Sequence, residues 1–325
     1  MIASLACLCC LQVALVLGLA RAEDTWAVLV GTSRYWHNYR HMTNVMAMYE
    51  VLKSTGMLDD RIVVMSASDA ACDVRNTHPA DVVAGVSGRK RGGKGQDQQQ
   101  PTQLYHTGVQ IDYQGLDVSI ESFTQVMTGR HAADTPALKR LDSHEDSNVL
   151  LYMTGHGGDG FFKFHDVEEM SAEDMARVVN DMAAGGRYRE MLVVVDTCQA
   201  ETLFELITAP RVTVISSSRR GENSYAFSVN STIAAAPSDR FTLRILEYLE
   251  QQRPVPGSRH TVRDLMSAMD PNFLFSSVTA WTSPLARTPE KIRLSEFFAP
   301  QTGSKGAPVA RDFDNRHLFS SSTPS

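Results

Sequence analysis

Leu192-Val193-Val194-Val195-Asp196-Thr197-Cys198-Gln199 is an apolar run of strand length that ends on polar residues and a cysteine. Nothing in the run alternates, so both faces of the strand are to be buried, which is the pattern of a parallel sheet covered by helices on either side. Leu150-Leu151-Tyr152-Met153-Thr154-Gly155-His156-Gly157-Gly158 is built the same way, with a glycine-flanked histidine just past the strand. In an open α/β sheet, residues beyond the carboxyl ends of neighbouring parallel strands face a common crevice. His156 and Cys198 are therefore expected to meet there.

The same rhythm extends outward. Further buried strands are expected at 26–31, 61–65 and 211–216, with 148–154 and 191–197 carrying the two runs above. Helical spacing recurs at 45–52, at 118–127 before Gly129, and at 171–184, 201–207, 241–249 and 262–269, and the pattern weakens from 272 onward. Alternation of strand and helix predicts one α/β domain over 23–300, with a mostly parallel sheet and helices on both faces. Residues 85–100 interrupt it with Gly, Lys, Arg and a Gln tract that cannot bury enough apolar area to offset ordering, so they read as a flexible insertion loop. Residues 301–325 read as a polar tail.

The 325-residue chain is 43% hydrophobic and 21% charged, as globular proteins are, and its net charge of −6 gives no footprint for nucleic acid. Residues 5–20 are apolar except Gln12, and Ala20-Arg21-Ala22 offers a small-x-small cleavage site, so 1–22 reads as a secretory signal peptide that leaves Glu23 as the mature start. An uncleaved anchor is the competing reading, against which the run is short for a membrane span. No later stretch approaches that length. Removal of the leader takes Cys7, Cys9 and Cys10 with it, leaving Cys72 and Cys198. An unpaired Cys72 in an oxidising lumen points to a bond with another subunit, and a buried inert thiol is the alternative. Asn230-Ser231-Thr232 is an N-glycosylation sequon in such a compartment.

A thiol of ordinary pKa is mostly protonated at neutral pH, so a catalytic cysteine needs a base beside it and an open position at the end of its strand. His156 and Cys198 fit as base and nucleophile. Gly157 and Gly158 leave room for a peptide, and the N–H groups of Gly157 and Cys198 are candidate oxyanion donors. Asp196 lies two residues before Cys198, on the same side of its strand, and can orient the site or contact substrate. A tight Gly-His-Gly turn and a core cysteine are the bland alternatives. Zinc is poorly supported, and the Gly-Lys-Ser/Thr of a phosphate loop is missing from the sequence.

Ser33-Arg34-Tyr35-Trp36-His37-Asn38-Tyr39-Arg40-His41, Arg61-Ile62-Val63-Val64-Met65, Tyr152-Met153-Thr154-Gly155-His156-Gly157-Gly158 and Val195-Asp196-Thr197-Cys198-Gln199, in that order, resemble the legumain-like cysteine peptidases. These have a caspase-type, three-layer α/β/α fold. Tyr-Met-Thr-Gly-His-Gly-Gly and Asp-Thr-Cys-Gln resemble the GPI-transamidase branch more than the legumains, which usually carry Asp-His-Gly and Glu-Ala-Cys-Glu. The resemblance implies Cys198 as nucleophile, His156 as general base and Asn38 as its support, with Gly157 at the oxyanion and Arg40, Asp196 and Ser216 in the pocket for the cleaved residue. It also implies a disulfide from Cys72 to a noncatalytic subunit. A structural calcium near Asp59, Ile62 and Asp112 belongs to the same family pattern, although Gln110 stands where a carboxylate is expected; no cofactor is required for the chemistry.

The activity implied is cleavage of the carboxyl-terminal signal of a precursor through a thioester, followed by transfer to the ethanolamine amine of a GPI lipid. The place implied is the endoplasmic reticulum lumen, with the soluble chain held at the membrane by partner subunits. Hydrolysis by a legumain-type endopeptidase is the first alternative, and a noncatalytic scaffold of the same fold the second.

Overall fold

A computed structural model describes residues 24–84, 102–103 and 108–299. The leader, loop 85–100 and tail 301–325 lie outside the described residues. The centre is a seven-stranded sheet of β1 (Asp24–Gly31), β2 (Ile62–Ser66), β5 (Tyr113–Gln114), β6 (Ser147–Thr154), β10 (Glu190–Asp196), β11 (Val212–Ser216) and β12 (Thr279–Thr282), in the order β12-β11-β10-β6-β1-β2-β5. Every pairing is parallel except that of β12 on β11. Two small sheets are added. Val83–Ala84 (β3) pairs antiparallel with Thr102–Gln103 (β4), and β7 (Gly157–Gly158), β8 (Phe161–Phe164) and β9 (Glu168–Ser171) form a three-stranded ribbon.

Alternate side chains of each central strand enter different cores. Leu29, Val64, Leu150, Tyr152, Leu192, Val194 and Ile215 pack with α1 (Tyr39–Ser54), α4 (Arg240–Gln252) and α5 (Val262–Ser267). Val28, Val30, Val63, Leu151, Met153, Val193 and Val195 pack with α2 (Ile120–Thr128) and α3 (Ala172–Ala184) on the other face. Two apolar layers flank one sheet, so the strands can carry Val and Leu at every position, and the expected three-layer α/β/α architecture is the one observed. Helix ends follow local chemistry: Ser119 and Ser171 make capping boxes, and Gly129 ends α2 in the left-handed region at φ 68°.

Three departures from the sequence pattern have physical causes. The first helix begins at Tyr39 rather than 45, because its first two turns bury Asn44, Thr43 and His41, polar residues that break an apolar stripe but find partners in the site. The expected helix at 201–207 is only a 3₁₀ turn, Ala200–Leu203. Its backbone is diverted: the N–H groups of Ala200 and Glu201 go to Ser218, and the Thr202 hydroxyl bonds the Gln199 carbonyl at 2.8 Å. Beyond 272 the chain is structured after all, with β12 closing the sheet edge, α6 (Pro271–Leu274) packing on α4, and α7 (Ser295–Phe298) packing on β1 and β6.

Candidate active site

Strand register brings His156 and Cys198 to one edge. Thr154 of β6 pairs with Asp196 of β10, and the Gly155 N–H donates to the Asp196 carbonyl at 3.3 Å. Each functional residue follows its paired position by two, on strands roughly 4.8 Å apart. The His156 carbonyl accepts the Lys163 N–H at 2.8 Å, so the β8–β9 hairpin pins the histidine backbone. Gly157 lies against the cysteine turn: a Cβ there would stand 2.7 Å from Thr197 Oγ1 and 2.8 Å from the Phe161 carbonyl oxygen.

The imidazole is oriented by Asn38. Asn38 is fully buried, its Nδ2 donates to the Arg34 carbonyl at 2.8 Å, and its Oδ1 lies 2.9 Å from His156 Nε2. With the amide nitrogen committed, Oδ1 is an acceptor only, so His156 carries its proton on Nε2 and presents Nδ1 as the basic atom. His41 packs edge-on against the same ring, with centroids 5.1 Å apart. Burial, and after it the Arg40 charge, pulls the His156 pKa below the usual 6.5, which keeps the ring neutral at neutral pH.

The cysteine turn is held rigidly. Ser217 Oγ takes the Thr197 N–H at 3.1 Å, Ser218 Oγ donates to the Thr197 carbonyl at 2.7 Å, and the Gln199 N–H reaches the Glu222 carbonyl at 2.9 Å. Ala200, Glu201 and Thr202 also give their N–H groups to protein acceptors. Among the described contacts from Thr197 to Thr202, the N–H of Cys198 is the one left over. Gln199 sits in the left-handed region at φ 53°, the sharp turn that exposes the residue before it. The half-buried thiol lies 3.9 Å from the Ser224 carbonyl. Its pKa is pushed up by burial and by the charges of Asp196 and Asp239, against the Ser224 carbonyl contact and Arg40, so the thiol and the imidazole are both neutral at rest.

Arg40 and Asp196 reach this edge from opposite sides of a buried polar cluster. Arg40 Nε bonds Asp239 Oδ1 at 2.8 Å, while Asp239 Oδ2 accepts from Asn44 Nδ2 at 2.7 Å. Asp196 accepts from the hydroxyls of Ser224 and Thr242, both at 2.6 Å, and from the Thr242 N–H at 3.2 Å. Burial raises both carboxyls, and the Asp239 charge raises Asp196 further. Asp239 has a guanidinium and Asp196 only neutral donors, so Asp196 is the member that holds a proton more readily. Asp239, Asn44, His41 and Ser224 escaped sequence reading, because a lone polar residue at a helix start or in a loop carries no motif.

Ser216 is the member of the expected pocket that the structure separates from the rest. It is buried and paired with Val195, so it shares the face of Val195 toward α2 and α3, opposite to Asp196. The adjacent Ser217 and Ser218 act on the cysteine turn instead. Cys72 is exposed at the end of a 3₁₀ turn, with Asp69 beside it pushing its thiol pKa up. Asn230 lies in a surface turn, its Oδ1 accepting the Thr232 N–H at 2.8 Å. Near Ile62, Asp59 bonds the Tyr49 hydroxyl and pairs with Lys53 at 2.9 Å, while Asp112 Oδ2 accepts the Val64 N–H at 2.8 Å. A calcium ion wants six to eight oxygens, and carboxylates already committed in this way do not fit it. Among the described residues, no group of three or more His, Cys, Asp and Glu side chains is placed to hold a metal ion.

The profile of the peptidase C13 family matches residues 25–280. The chain belongs to the peptidase C13 family. Its similarity to GPI-anchor transamidases is substantial: 40% identity over 275 residues to that of Schizosaccharomyces pombe, covering 85% of this chain and 69% of that one. For the Saccharomyces cerevisiae protein the identity is 37% over 281 residues, covering 86% and 65%. A putative GPI-anchor transamidase of Caenorhabditis elegans is 37% identical over 275 residues, covering 85% and 82%. The chain thus spans about two thirds of the length of the two yeast relatives. Caspase-1 from Spodoptera frugiperda superposes with a TM-score of 0.48 at 9% identity, covering 88% of this chain and 94% of that one. Among the described residues of this C13 member, no helix is long and apolar enough to cross a membrane.

Proposed function

We propose that this C13 member is the catalytic chain of a GPI transamidase, and that the shared edge occupied by His156, Cys198 and Asn38 performs both halves of the reaction. The observation that carries this reading is the Asn38 to His156 hydrogen bond, which leaves Nδ1 basic at the same sheet edge as a thiol that is not yet ionised. His156 Nδ1 takes the Cys198 proton as Sγ attacks the carbonyl of the attachment residue. The N–H groups of Cys198 and Gly157 receive the oxyanion. The C–N bond then breaks, the histidine proton leaves with the amine of the released carboxyl-terminal peptide, and an acyl thioester remains. The ethanolamine amine of the GPI lipid gives a proton back to His156 as it attacks. The C–S bond breaks, the new amide forms, and the thiolate recovers its proton.

Arg40, Asp196 and Asp239 supply a polar wall for the attachment residue. Cys72 joins the chain to a noncatalytic subunit, which with other membrane-spanning subunits holds it on the lumenal side of the endoplasmic reticulum, where Asn230 receives a glycan. Water competes with the amine for the thioester, so transfer depends on holding the acceptor at high effective concentration. The test is to incubate the complex with precursor in the presence and absence of hydrazine. Hydrazide formation at the expense of hydrolysis is the expected result, and free acid as the sole product at every hydrazine concentration selects the endopeptidase. Full function of Cys198→Ala in cells selects the scaffold.

A further inference from the structure

Beside the nucleophile, the chain displays an aromatic wall that the core does not use. Ser224, whose carbonyl contacts Cys198 Sγ, is followed by Tyr225, 41% exposed and packed edge-to-face on Phe275, with ring centroids 5.9 Å apart. Phe275 is itself 60% exposed and sits at φ 61°, a conformation that costs a bulky residue energy and that a helix-ending glycine would adopt freely. Backbone geometry does not account for a phenylalanine there, and its ring packs on exposed groups rather than in the core.

Arg240 stands behind these rings, its guanidinium carbon 4.5 Å from the Phe275 centroid, 5.3 Å from Phe273 and 5.7 Å from Phe227. Its hydrogen bonds go to the carbonyls of Phe273 at 2.9 Å and Ala226 at 3.2 Å, not to a carboxylate. The backbone ties the wall to the site, since the Arg240 N–H donates to the Tyr225 carbonyl at 2.9 Å and Ala226 pairs with Asp239. A positive group to which the described residues supply no counter-charge, fronted by exposed rings, suits a ligand that combines a phosphate with a ring having an apolar face. The residues at a GPI attachment site are small and its spacer is polar, so the precursor offers neither feature. An aminoethyl phosphate joined to a sugar offers both.

We propose that Tyr225, Phe275 and Arg240 form the subsite for the acceptor: the rings stack on the sugar that bears the aminoethyl phosphate, and Arg240 takes the phosphate, aiming the amine at the thioester on Cys198. This rests on the transamidase reading above, and hydrazine separates the two, because it reacts at the same thioester without a phosphate or a sugar. In the intact complex, Tyr225→Ser, Phe275→Gly and Arg240→Gln are compared for hydrazide and for GPI-linked product. The expected result is a loss of about tenfold or more in GPI-linked product with hydrazide formation kept within about twofold. Phe275→Gly removes the ring while relieving the backbone, and unchanged hydrazide formation reports an intact fold. Parallel loss of both products assigns the wall to the precursor or to folding and overturns the proposal, as does unchanged GPI-linked product. A wild-type complex that yields no hydrazide refutes the transamidase reading instead.

Discussion

Asn38 Oδ1 lies 2.9 Å from His156 Nε2, and the Asn38 amide nitrogen is fixed 2.8 Å from the Arg34 carbonyl, so the side chain can only accept from the imidazole. The pair joins the loop after β1 to the end of β6, 118 residues apart. Asn38→Ala frees both the tautomer and the ring orientation. It is expected to lower kcat on the order of tenfold to a hundredfold with little change in KM, read by single-turnover acylation. Asn38→Asp places a carboxylate on Nε2–H and raises the histidine pKa, moving the acid limb of the pH profile upward.

Because burial and Arg40 lower the His156 pKa, the base is neutral until the pH falls below 6.5. The acid limb of kcat/KM is expected below pH 6.5 in the wild type. Arg40→Gln removes a positive charge that acts on both His156 and Cys198, so the limb shifts to higher pH. A limb that stays in place when Arg40 is neutralised shows that the titrating group is not this histidine.

Asp196 is buried with its carboxyl pushed up to about 7, burial contributing most and Asp239 next. A carboxyl whose folded pKa exceeds its unfolded value of about 3.9 binds its proton more tightly when folded, so its contribution is intact below pH 4 and is lost as pH rises toward 7. Asp196→Asn has no such proton to lose. Its Tm relative to wild type should therefore rise between pH 4 and pH 7, measured by calorimetry at both values, and a constant difference contradicts the assignment.

At Gly157 a methyl group meets Thr197 Oγ1 at 2.7 Å and the Phe161 carbonyl at 2.8 Å. Gly157→Ala must push the histidine loop away from the cysteine turn. A destabilisation of about 1–3 kcal/mol is expected, with a loss of acylation larger than the stability loss explains. Urea unfolding and active-site titration of the same preparation check it.

Cys72 is exposed, so its thiol is open to another chain. On a nonreducing gel the native complex should show a heavier covalent species that disappears in Cys72→Ser. The complex carrying that variant should retain hydrazide-forming activity, because Cys72 lies outside the catalytic cluster.

The parallel sheet, its two covering layers and the placement of His156 and Cys198 past the ends of paired strands were legible in the sequence, because unbroken Val and Leu runs leave a chain little choice but a doubly buried strand. The length of the first helix was not legible, since Asn38, His41, Thr43 and Asn44 are polar and yet buried. Part of what satisfies them lies far along the chain, as Asp239 does for Asn44 and the Pro237 carbonyl for Thr43. The same holds for Ser216, which a motif places in the pocket but the alternation of β11 turns to the other face, while Ser217 and Ser218 hold the cysteine turn. Local pattern by itself determined which segments become the five central parallel strands β1, β2, β6, β10 and β11 and which residue types stand at their ends. Only the tertiary structure decided which polar side chains share a charge or a proton, because that depends on strand order and register, where a shift of one residue would carry every side chain to the opposite layer.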